Sequence, residues 1–82
     1  MSESQLRQLK EHRAQVAFAR NLGRLWLELR MGTPRRHLDV LLELCTTLLV
    51  NCGPSQLTDR YRVELHSARI QVSQRSNLRL VK

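Results

Sequence analysis

This chain lacks most of what a cofactor site or a membrane span is built from. Its 82 residues include only three glycines, so no glycine-rich loop is available to cradle a phosphate. Those glycines and two prolines, Pro34 and Pro54, leave few points where the backbone must turn. Three aromatic residues, Phe18, Trp26 and Tyr61, leave most of a core to leucine and valine. No apolar run is long. The richest, Leu38 to Cys52, is interrupted by Asp39 and Glu43 and falls short of the roughly 20 apolar residues that cross a bilayer. The first residues carry Glu3 and no apolar segment of the secretory kind. The expectation is a cytoplasmic protein without integral membrane association.

Sites for metal or covalent chemistry are equally thin. His12, His37, His66, Cys45 and Cys52 show no Cys-x2-Cys or His-x3-His spacing of the kind that closes around zinc. Cys45 and Cys52 are seven residues apart. On one helix they stand about 10.5 Å apart along the axis, beyond the ~7 Å that a disulfide spans. Reduced, packed thiols are expected. The seven carboxylates lie scattered among arginines, as solvated ion pairs do, and no nucleophile has a base at an evident spacing. We therefore expect no catalytic residues, no cofactor and no metal.

What is present is leucine, arginine and helical periodicity. Hydrophobic residues make up 41% and charged residues 26%, a globular balance rather than a disordered one. The length allows one domain, over 1–82, with a core that is marginal because so short a chain buries only about 60–65% of its unfolded surface. Fourteen Lys and Arg against seven Asp and Glu give a formal net charge of +7, and twelve of the cations are arginine. The excess suits an anionic partner, although arginine-rich codon usage produces the same count.

Three helices account for the pattern. The first starts at a Ser2–Gln5 capping box and ends at Met31–Gly32, with glycine as left-handed terminator. At about 100° per residue, Ala14, Phe18, Leu22, Leu25, Trp26 and Leu29 share its core side. Gly23 inside it marks a kink or a close contact. The second takes Thr33 as N-cap and Pro34 as first residue. It repeats leucine and cysteine from Leu38 to Cys52 at three- and four-residue steps, and ends at Gly53–Pro54. Being apolar around much of its circumference, it is expected at the centre. In the last third Leu57, Tyr61, Leu65, Ala68 and Val72 fit a helix capped by Ser55 or Thr58. Tyr61, Val63 and Leu65, and then Ile70 and Val72, also alternate as a small β-meander would. The fold class is all-α, a three-helix arrangement, with that meander as the alternative and 74–82 as a frayed basic tail.

Two surfaces remain once the core is drawn. Leu6, Leu9, Val16 and Leu27 form a second apolar line on the first helix, and Val63 and Ile70 fall off the main stripe of the third. Uncovered rows of this kind mark protein interfaces. Beside the first row Lys10, Arg13, Arg20 and Arg24 form a cationic ridge, and Arg69, Arg75 and Arg79 follow in an acid-free C-terminal stretch. A ridge of that length can track phosphates or lie on an anionic membrane surface. Phe18 and Trp26 are directed to the core and so do not serve as stacking platforms. A helix–turn–helix also fails: with Gly53 as its turn, Asp59 and Arg62 fall where apolar anchors belong. The sequence thus points to a non-enzymatic interaction module, an adaptor, co-chaperone or regulator that homodimerises or binds a larger protein. The alternative is a nucleic-acid-binding regulator that uses the arginine ridge.

Overall fold

In a computed structural model the chain forms three helices, α1 (Glu3–Met31), α2 (Arg35–Val50) and α3 (Gln56–Val81). The structure describes the backbone of residues 2–81 and the side chains of residues 2–74. Among these there is no strand, so the alternating residues of the last third do not form a meander. The reason lies in packing. Thr58, Leu65, Ala68 and Val72 are all buried, with Tyr61 packed beside them, and only a helical period puts all five on one side.

The helix ends follow local chemistry. At the start of α1, Ser2 Oγ accepts from the Gln5 amide at 3.2 Å and Gln5 Oε1 accepts from the Ser2 amide at 3.1 Å, a complete capping box. At its end Gly32 takes φ 81°, a left-handed conformation open to glycine, and its amide reaches Glu28 O. The expected cap of α2 does not form. Thr33 turns back to α1, its hydroxyl donating to the Glu28 carboxylate and its amide to Glu28 O at 3.2 Å. Pro34 therefore becomes the capping residue and α2 begins at Arg35, one position late. Ser55 caps α3, its Oγ accepting from the Thr58 amide at 3.1 Å.

The core runs through the middle of all three helices. Phe18, Leu25, Leu38, Cys45 and Ala68 have no exposed surface, and Trp26, Leu29, Leu41 and Tyr61 pack around them. A fully buried side chain of this size stabilises by about 1.5–3 kcal/mol. The Phe18 and Tyr61 rings lie 4.6 Å apart, centroid to centroid, and tie α1 to α3. α2 packs against both other helices, as its apolar content suggests, but it is not enclosed: Val40, Leu44 and Val50 are exposed. Gly23 makes no close contact either, since apart from its chain neighbours and the adjoining helix backbone no atom of the described residues lies within 4 Å of where its Cβ would be.

The molecule is a rod of 57 × 19 × 15 Å. α1, about 43 Å long at 1.5 Å per residue, outreaches α2. Gln15 Nε2 donates to Cys52 O at 3.3 Å, so the end of α2 lies level with Gln15. The turns before it, residues 3–10, hold no fully buried side chain, and Leu9 is partly buried.

Candidate protein-interaction surface

The outer side of α1 lies opposite Phe18, Leu22 and Leu25. Along it Leu6, Val16 and Leu27 are exposed to 44%, 42% and 54%, while Leu9 is partly buried. Arg13, Arg20 and Arg24 occupy the same side, and all are exposed. Leucine, valine and arginine therefore share one seam in steps of three and four residues, rather than forming an apolar row beside a separate ridge. Lys10 flanks that seam. Met31, 70% exposed, extends it by one turn. Sequence reading passes over Met31 because it stands next to the terminating Gly32; the three- and four-residue steps that continue to it are the signal.

Charge along the seam is largely uncompensated. Lys10, Arg13 and Arg20 make no ion pair among the described residues. Arg24 meets Glu28 at 3.9 Å across one helical turn, a long and solvated contact of little energy. The Glu28 carboxylate is also held by Thr33.

The other expected residues are elsewhere. Val63 and Ile70, 67% and 42% exposed, face away from the core on α3 and belong to a different side of the rod. Arg69 bridges α3 to α2: its Nη2 donates to Thr46 Oγ1 at 3.0 Å, and Thr46 in turn donates to Leu42 O at 2.8 Å. It does not join the α1 cations. Arg75 and Arg79 lie outside the residues whose side chains are described.

An open groove of about 1100 Å³ between α2 and α3 is lined by Val40, Leu44, Thr47, Arg69 and Ser73 among others. His12, His37 and His66 are exposed at separate points, and no three potential metal ligands converge among the described residues. Cys45 and Cys52 are buried free thiols. Burial pushes the Cys45 thiol up to about 11 from an ordinary 9.0, and raises that of Cys52, which donates to Leu48 O at 3.3 Å. No helix among the described residues is long and apolar enough to cross a membrane. Compared with known proteins, the chain matches no family model, no curated protein and no solved structure.

Proposed function

We propose that this chain is a small non-enzymatic helical interaction module, an adaptor, co-chaperone or regulator that acts by packing its surface on a protein partner. The observation that carries this reading is the seam on α1: Leu6, Val16 and Leu27 are exposed on the side opposite the core of their own helix. Removing such side chains from water stabilises a complex by about 25 cal/mol per Å² of apolar surface, less the cost of association. Rim arginines set orientation and association rate.

The test is site-specific photocrosslinking in the native host. A benzophenone amino acid at Val16 or Leu27 is expected to yield a discrete higher-mass adduct, and one at exposed Ser67 on α3 is expected to yield none. Absence of any protein adduct from either seam position removes the reading.

Nucleic-acid binding is the second reading, favoured by the exposure of Lys10, Arg13 and Arg20 without ion-pair partners among the described residues. Contacts of that kind neutralise phosphates, so affinity falls steeply with salt and discriminates little between sequences. Failure to be retained on a DNA or heparin column at low salt eliminates it.

A further inference from the structure

We infer that the outer side of α1 is a seam for one amphipathic helix of a different protein, apolar at both ends and acidic at its middle. This deepens the interaction-module reading and rests on it. The inference comes from the order of residues along the seam. Leu6 and Leu9 stand at one end, Leu27 and Met31 at the other, and Arg13, Arg20 and Arg24 fill the middle around Val16. Steps of three and four residues are the spacing at which one helix interlocks with another. The seam spans about 37 Å, some seven helical turns.

The same order excludes a second copy of this chain on that side. Two copies in parallel register bring Arg13 to Arg13 and Arg20 to Arg20. Antiparallel copies centred on the seam bring Arg13 to Arg24. Either way cations meet in an apolar interface, and the carboxylates nearest by relieve them little: Glu11 packs at Gly53, and Glu28, held by Thr33, reaches Arg24 only at 3.9 Å. Burying an unpaired charge costs far more than a leucine pair returns. Opposed glutamates or aspartates turn the same arginines into charge-assisted pairs. A phosphate backbone is the poorer fit, because Val16 and Leu27 sit in the line of the arginines and phosphates gain nothing from covering them.

The experiment uses the full chain and three labelled probes. The first is a synthetic helical peptide of about 28 residues, with leucines placed opposite the seam ends and glutamates opposite Arg13, Arg20 and Arg24. The second is a permuted peptide of identical composition. The third is a duplex DNA of about two helical turns. Anisotropy titrations at about 0.15 M salt are run on the native chain and on Val16→Gln/Leu27→Gln and Val63→Gln/Ile70→Gln, each checked for helical content by circular dichroism. All four side chains are exposed, so both variants are expected to fold. The patterned peptide is expected to bind the native chain about tenfold or more tighter than the permuted one, and the seam variant is expected to lose about tenfold. The α3 variant is expected to bind like the native chain.

Equal binding of both peptides, no binding of either, or a loss confined to the α3 variant overturns the inference. So does DNA binding tighter than either peptide and unchanged in the seam variant. A native chain that dimerises in sedimentation, with dimerisation abolished in the seam variant, also overturns it, in favour of a second copy. If the peptide fails while Val16 still crosslinks to a protein in the host, this inference falls and the module reading stands. If both fail, the reading falls with it.

Discussion

The carboxyl group of Glu11 on α1 fills the space that a side chain at Gly53 needs. A Cβ built on Gly53 lies 2.5 Å from the Glu11 carboxyl carbon, and Gly53 itself takes φ 78°. Two effects therefore disfavour any other residue there. They differ in size, because the Glu11 carboxylate is the far end of a flexible side chain and can swing away, whereas the left-handed backbone cannot be avoided. Gly53→Ala is expected to cost about 1–2 kcal/mol, mostly from the backbone. Urea unfolding of Gly53→Ala, Glu11→Ala and the double variant checks this. The coupling energy between them should be small, within about 0.5 kcal/mol. Full rescue by Glu11→Ala shows that the clash dominates instead.

Phe18 ties α1 to α3, with no exposed surface and Tyr61 at 4.6 Å. Truncation to alanine leaves a cavity the size of a ring, worth about 3–5 kcal/mol. A chain of 82 residues has about 4–12 kcal/mol in total at ordinary stability per residue. Phe18→Ala is thus expected to lose at least about a quarter of the total and to unfold at clearly lower urea than the native chain. Tyr61→Leu is expected to cost less, since it keeps apolar volume and gives up a ring pair worth about 0.5–1.5 kcal/mol. A Phe18→Ala loss below about 1 kcal/mol places the centre of the core elsewhere.

The elements that rest on local chemistry are legible in the sequence. Ser2 with Gln5 at N3 and Gly32 after Met31 act through hydrogen bonds and φ preferences within a few residues, and both form as those residues dictate. The start of α2 is displaced because Thr33 has two competing partners, its own helix and Glu28 of the preceding one, and the latter wins. The last third is ambiguous in sequence because periods of two and of 3.6 both pass through Tyr61, Leu65 and Val72; contact with Phe18 and α2 settles it. Periodicity marks which side of a helix is apolar but not how many neighbours cover it. That is why α2 reads as central and yet leaves Val40 and Leu44 exposed. The merging of the arginine ridge with the apolar row on α1 is different, since the three- and four-residue steps from Leu6 to Met31 already carry it.

Gly23 is a cost with no return inside this molecule. It is helical and exposed, and apart from its chain neighbours and the adjoining helix backbone no atom of the described residues lies within 4 Å of a Cβ built on it. Gly23→Ala is expected to raise stability by about 1 kcal/mol through helix propensity and a less flexible unfolded chain. The check is the urea midpoint at unchanged slope. A destabilised variant shows that α1 needs to bend at this position.

Alkaline pH should weaken the fold through Cys45. In the folded chain burial holds its thiol protonated up to about pH 11, whereas an exposed thiol ionises near 9.0. Above 9.0 the unfolded chain releases a proton that the folded chain retains, so rising pH draws the equilibrium toward unfolding. The contribution is full below that point and is lost as pH climbs through about 11. Burial raises Cys52 in the same direction, so the measurement is a difference. Urea midpoints of the native chain and of Cys45→Ala are followed from pH 8 to about pH 11. The variant starts lower, because a packed sulfur is gone, but its midpoint should fall less steeply. The same burial makes both thiols slow toward a disulfide reagent at pH 8 until urea is added. Parallel pH slopes for the two proteins, or equal thiol reactivity with and without urea, place Cys45 in contact with water and remove it from the core.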